Sequence, residues 1–113
     1  MAKLLNPEVL RSLGHESILE TYVAIGTPSA YAARIVFVQN LTDVALLFSF
    51  DGTNNHFILP ASGFLLLDIT SNKSDESGLF LAADESLYVK QSGDPTTGSV
   101  YLSLFSGGSR QIT

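Results

Sequence analysis

Short apolar runs recur along the chain, and in several of them both faces of a strand are apolar. In Arg34-Ile35-Val36-Phe37-Val38, Ile35 and Phe37 share one strand face while Val36 and Val38 share the other. A half-buried antiparallel strand alternates apolar with polar residues instead. The same departure recurs at Leu46-Leu47-Phe48, Phe64-Leu65-Leu66-Leu67, Leu79-Phe80-Leu81 and Leu102-Ser103-Leu104-Phe105. A chain of 113 residues makes one domain with a modest core. It has little material with which to cover both faces of its sheets. A second body over one face is therefore expected, and the first candidate is another copy of the chain.

The pattern predicts strands over residues 20–25, 33–39, 44–50, 56–59, 63–69, 78–82, 86–90 and 99–105. Turn residues separate them. Asp51-Gly52 with Asn54-Asn55 supplies the positive φ angles of a hairpin, and Pro60-Ala61-Ser62-Gly63 breaks the next pair. Regular short strands of this kind predict an all-β fold, an antiparallel β-sandwich of jelly-roll or immunoglobulin-like type. A closed barrel is the competing architecture. At the other end, Asn6-Pro7-Glu8 has the chemistry of a helix start and Gly14 that of a stop. A helix over residues 7–13 is expected, too short to persist in water unless Val9, Leu10 and Leu13 dock on something. Residues 1–14 thus read as an arm or hook for a neighbouring subunit, 15–106 as the β-sandwich domain, and 107–113 as a flexible tail.

Charge narrows the function. The net charge is −5, and Lys3, Arg11, Arg34, Lys73, Lys90 and Arg110 never cluster, which argues against a nucleic-acid partner. Only 15% of residues are charged, against about 25% in an average soluble domain, as fits a surface partly given over to contacts. The absence of cysteine excludes disulfides and thiolate metal sites. No apolar core of a signal peptide follows Met1, and no run approaches a membrane span. The expectation is a soluble product of the cytoplasm with no membrane partner.

Candidate chemistry is sparse. His56 follows the Asp51 turn, so an Asp–His pair across the hairpin is conceivable, but no Gly-x-Ser-x-Gly elbow accompanies it. The paired acids Asp75-Glu76 and Asp84-Glu85 are sequence neighbours whose side chains point apart. No catalytic residue is assigned. The oxygen-rich stretch from Asp51 to His56 lacks the alternation and terminal Glu of a calcium loop, and turn chemistry accounts for it, so no metal and no cofactor are expected. A glycan-binding module would need exposed aromatic platforms. The chain has no Trp, and a row of Tyr22, Tyr88 and Tyr101 on one sheet face would be the supporting feature. Association remains. Val36, Val38, Leu66, Tyr101 and Phe105 sit out of phase with the stronger apolar set of their strands, and together with Val9, Leu10 and Leu13 they are the candidate interface. An exposed large apolar side chain forgoes about 1.5–3 kcal/mol of burial, and contiguous patches of such residues mark interfaces.

One further pattern runs over nearly the whole chain. Arg34-Ile35-Val36 leads into Gln39-Asn40-Leu41-Thr42-Asp43, then Phe48-Ser49-Phe50-Asp51-Gly52 and His56-Phe57-Ile58-Leu59-Pro60-Ala61. Leu65-Leu66-Leu67-Asp68 with Ser71-Asn72, Leu87-Tyr88-Val89-Lys90 and Gly98-Ser99-Val100-Tyr101 complete it. In phrase order the chain resembles small β-sandwich structural proteins of tailed-bacteriophage virions. The resemblance implies a non-enzymatic virion component in many copies, made in the host cytoplasm. It would be a capsid decoration or cement protein, or a collar protein of the head–tail junction. Its implied partners are copies of itself and other virion proteins.

Overall fold

The computed structural model of the chain describes residues 5–31, 33–68 and 85–107. Nine strands lie among them: β1 Leu5–Pro7, β2 Arg11–Gly14, β3 Val23–Ala24, β4 Ala33–Asn40, β5 Leu46–Ser49, β6 Phe57–Leu59, β7 Phe64–Asp68, β8 Tyr88–Gln91 and β9 Ser99–Gly107. The strand expected over 78–82 lies outside the described residues, as does the tail beyond Gly107. Gly107 itself ends β9 and pairs with Leu5.

Two antiparallel sheets form. In the first, β1 and β2 lie end to end along one edge of β9, followed by β4 and β7. The second runs β3-β8-β5-β6. The pairing is nested: β5 pairs with β6, β4 with β7, β3 with β8 and β2 with β9. The chain is thus one long folded ribbon whose apex is the β5–β6 turn. It passes from one sheet to the other at every connection from β2 to β9 except that turn. Among sandwich types this is the jelly roll. Leu87, Val89, Leu46 and Phe48 pack against Val36, Val38, Val100, Leu102 and Leu104 between the sheets, with Phe48 stacked on Phe57 at 5.0 Å. Full burial of each such side chain is worth about 1.5–3 kcal/mol.

The N-terminal segment departs from the expectation of a helix. Residues 7–13 are largely strand, and the only helical turn among the described residues is a single 3-10 turn at His15–Ser17. The edge of β9 explains this. It offers partners to Leu5–Pro7 and Arg11–Gly14, and the Glu8 N–H donates to the Leu104 carbonyl at 2.9 Å. Those bonds and the packing of Leu13 on the core outweigh a two-turn helix that is marginal alone. Residues 5–14 are therefore part of the sheet and not a separate arm.

Asn40, at the end of β4, ties the sheets together. It is fully buried, yet its amide is saturated. Nδ2 donates to the carbonyls of Val44, Leu59 and Pro60 at 2.9, 3.0 and 3.1 Å. Oδ1 accepts from the Thr42 N–H and hydroxyl at 3.0 and 2.6 Å. One side chain thus fixes both the β4–β5 and β6–β7 connections.

Candidate interaction face

Alternation along β4 divides its apolar residues between two environments. Val36, Val38 and Asn40 point between the sheets, and Ile35, Phe37 and Gln39 point outward. Val36 and Val38 are 1% and 0% exposed within a single chain, so they are core and not interface. Two features produce this phase. A bulge between Ala33 and Ile35 inserts one extra residue against β9 and re-aims the strand. Asn40, the polar residue that shares a phase with the two valines, is inside because its amide is saturated there.

Register carries the outward set across the sheet. Phe37 faces Leu66 on β7 and Ser103 on β9. Ile35 faces Phe105, and Gln39 faces Phe64 and Tyr101. Ile35, Phe37, Phe64, Leu66, Tyr101 and Phe105 therefore share one outward face. Phe37 and Phe64 meet edge to face at 5.8 Å. Phe64 and Leu66 are 63% and 52% exposed, while the others are partly covered by their neighbours. Leu66, Tyr101 and Phe105 from the sequence-derived set are brought together here. Ile35, Phe37 and Phe64 were not in that set. The register of β4 against β7 reveals them, and the apolar pattern could not, because both phases of the run are apolar.

The remaining N-terminal candidates separate. Leu13 packs partly buried against the core. Val9 and Leu10 project from the bulge between β1 and β2, 84% and 56% exposed. A buried ion pair holds that bulge: Arg11 Nη2 lies 2.9 Å from Glu8 Oε1, and both side chains are almost wholly enclosed. Arg11 also donates to the carbonyls of Val9, Thr27 and Pro28, and the Glu8 carboxylate accepts the N–H groups of Ala30 and Tyr31. The spacing of Glu8 and Arg11 suits a helix as well as this bulge, which is why the pair was not legible.

Loop residues finish the outward face of the second sheet. Ser49 is fully buried beneath the β5–β6 turn. Its hydroxyl donates to Asp51 Oδ1 at 2.8 Å and accepts the Gly52 N–H. The Asp51 carboxylate takes the N–H groups of Asn54 and Thr53 and the Asn54 side-chain amide. These donors, with the Ser49 hydroxyl, hold it well below the usual carboxylate range. Gly52, at φ +79°, lies so close to the Tyr88 ring that a Cβ there would touch it at 3.4 Å. Lys90 Nζ stands 4.8 Å over the Tyr22 ring, whose hydroxyl donates to Asn55 Oδ1 at 2.6 Å. Burial, then the Asp51 charge, pushes the Tyr22 phenol upward. At the opposite end of β5, Asp43 of the β4–β5 connection accepts the hydroxyl and N–H of Thr96 from the β8–β9 connection, which lower it to about 2.

This geometry answers the other candidates. His56 Nε2 is 4.0 Å from Asp51 Oδ2, beyond a hydrogen bond, and Nδ1 accepts the Phe50 N–H at 2.9 Å. Both side chains serve the turn. Tyr22 and Tyr88 belong to the second sheet's side of the molecule and Tyr101 to the first, so the three form no common row. Among the described residues no group of three or more His, Asp or Glu side chains could hold a metal ion, and no helix is long and apolar enough to cross a membrane. Comparison with protein-family models, curated proteins and solved structures finds no match to this chain.

Proposed function

We propose that the chain is a non-enzymatic assembly protein: a structural component of a tailed-phage virion, of the capsid decoration, cement or head–tail collar type. It acts by self-association and by docking on other virion proteins. The observation that carries the assembly role is the outward face of the first sheet, where Ile35, Phe37, Phe64, Leu66 and Phe105 form a contiguous apolar surface. Such surfaces mark interfaces, and covering Phe64 and Leu66 fully would recover about 1–2 kcal/mol each from water. The low charge content serves the same role. The virion setting is supported by the order of structural phrases from Arg34 to Tyr101.

Two measurements test the two halves. Light scattering of the wild type is expected to give a multiple of the monomer mass, and Leu66→Asp to give a folded monomer with the thermal midpoint of the wild type diluted to its monomer. A wild type that stays monomeric at every concentration overturns self-association. Peptide mass spectrometry of purified particles is expected to find the chain in stoichiometric amount, and its absence overturns the virion setting.

A further inference from the structure

The chain contains one Asp-Gly dipeptide, Asp51-Gly52, at the apex of the folded ribbon between β5 and β6. In a flexible chain this dipeptide isomerises. The Gly52 nitrogen attacks Cγ of the protonated Asp51 carboxyl. The N–Cγ bond forms, and the amide proton leaves with the carboxyl hydroxyl as water, closing a succinimide ring. Water then adds back at either ring carbonyl. One opening restores aspartate. The other gives isoaspartate, whose main chain runs through Cβ and Cγ and whose free carboxylate sits on Cα. Glycine is the most permissive successor, because no side chain shields its nitrogen.

Two ordinary safeguards are closed to this site. The Asp51 side chain is 45% exposed, so burial does not keep water from it. Nor can a bulkier residue follow it without strain. Gly52 holds φ +79°, where side chains are disfavoured, and a Cβ there would meet the Tyr88 ring. The turn therefore requires the dipeptide that endangers it.

Hydrogen bonds supply the protection instead. The Gly52 N–H, which must be broken for attack, donates to Ser49 Oγ at 2.8 Å. The same oxygen accepts the Asp51 N–H at 3.1 Å and donates to Asp51 Oδ1 at 2.8 Å. Oδ1 also accepts the N–H groups of Thr53 and Asn54, and Oδ2 accepts Asn54 Nδ2. The carboxylate is thus held forward, over residues 53 and 54. Ring closure needs the opposite arrangement, with Cγ turned onto the Gly52 nitrogen. It also needs the protonated carboxyl, since the anion has no hydroxyl to lose, and these donors favour the anion. Ser49 is fully buried, so water does not compete for its hydroxyl.

We propose that Asp51-Gly52 is the site at which this chain ages by isoaspartate formation, and that Ser49 is the positioning residue that holds the site closed in the folded state. Reaction then passes through local opening of the turn and not through the closed structure. Nothing in this depends on what the chain assembles with.

Ageing at mildly acidic pH tests it. Isoaspartate at residue 51 is counted by enzymatic isoaspartyl methylation and by peptide fragmentation in a mass spectrometer. The folded wild type is expected to react more than about tenfold slower than the same chain in urea, because a turn open for less than about a tenth of the time reacts in that proportion. Folded Ser49→Ala is expected to react several-fold faster than the wild type. Asn40→Ala loses stability at the other end of β5 and is expected to keep the wild-type rate, which separates a local guard from general unfolding. If Ser49→Ala fails to fold, the exposed Asn54→Ala replaces it and is expected to react faster than the wild type. A folded wild type that reacts as fast as the unfolded chain overturns the closed site. A folded Ser49→Ala (or, in its place, Asn54→Ala) at the wild-type rate overturns the guard, as does an Asn40→Ala that matches the faster variant.

Discussion

The second sheet turns Leu47, Ile58, Tyr88 and Lys90 outward, and its own chain returns over most of them. Gly52 lies against Tyr88, Lys90 against Tyr22, and the Asp51 turn buries Ser49. Ile58 alone stays more than half exposed, and a single exposed apolar residue is ordinary. The first sheet turns Ile35, Phe37, Phe64, Leu66 and Phe105 outward as neighbours, with Phe64 and Leu66 mostly in water. Both outward faces carry apolar residues. The difference, among the described residues, is that a polar loop finishes the outward face of the second sheet and none finishes that of the first. That distinction, and not the mere presence of outward apolar residues, separates a candidate interface from ordinary surface.

The strongest contrast lies within β4 and β7. Val38→Asp places an unpaired charge between the sheets and is expected to cost more than about 4 kcal/mol, enough to abolish the cooperative urea transition. Leu66→Asp, on the other side of the same sheet, is expected to shift the stability of the monomer by less than about 0.5 kcal/mol while removing the oligomer. Asn40→Ala comes next. It takes the side-chain donor from the buried Leu59 carbonyl and the acceptor from the Thr42 N–H, while the Val44 and Pro60 carbonyls keep the Thr42 hydroxyl and the Gly63 N–H, and a loss of about 2–3 kcal/mol is expected by urea denaturation. Gly52→Ala would press a methyl group on Tyr88 at a positive φ. About 1–2 kcal/mol of destabilisation is expected, with the oligomer mass unchanged, since the second sheet is not the associating side. Ile58→Asp is expected to change neither stability nor mass, and a mass loss there would erase the distinction between the faces.

The smallest expected effect is electrostatic. Asp43 is held at about 2 by Thr96, and Asp51 is held lower than ordinary by Asn54, Thr53 and Ser49. Both folded values lie under the unfolded value of about 3.9. Their contribution is fully present above that value and is lost as pH falls through the folded values. The urea midpoint is expected to hold steady from neutral pH to about pH 5 and decline from about pH 4 toward pH 2. Asp43→Asn and Asp51→Asn should each flatten that decline.

Local signals read well where their causes were local. Asp51-Gly52 with Asn54-Asn55 makes the turn it suggested, with Asp51 accepting the N–H groups of Thr53 and Asn54. The expected strands over 33–39, 56–59, 63–69 and 99–105 coincide closely with β4, β6, β7 and β9. The expected strand over 20–25 shrinks to Val23–Ala24. The reading failed where distant residues decide. The helix signals of Asn6-Pro7-Glu8 lose to the edge of β9, far along the chain. Val36 and Val38 were given the wrong side because Ile35 and Phe37 are the bulkier apolar set of the strand, yet the phase that goes inside is the one that carries Asn40, polar and satisfied there.

The sequence by itself determined that the chain beyond residue 14 is β, where the strands β4, β6, β7 and β9 and the Asp51 turn fall, and that it has apolar residues for more than one sheet face. Period-2 alternation and turn chemistry act over a few residues, so they are written in the chain. Only the tertiary structure decided which face is inner, because a one-residue change of phase exchanges the two faces of a strand at no cost in local preference. A bulge at Ala33–Ile35, a saturated Asn40 and the pairing of β4 with both β7 and β9 set that phase. The tertiary structure also turned an expected helix into a sheet edge with a clamped apolar projection, since only folding brings residues 5–14 to β9.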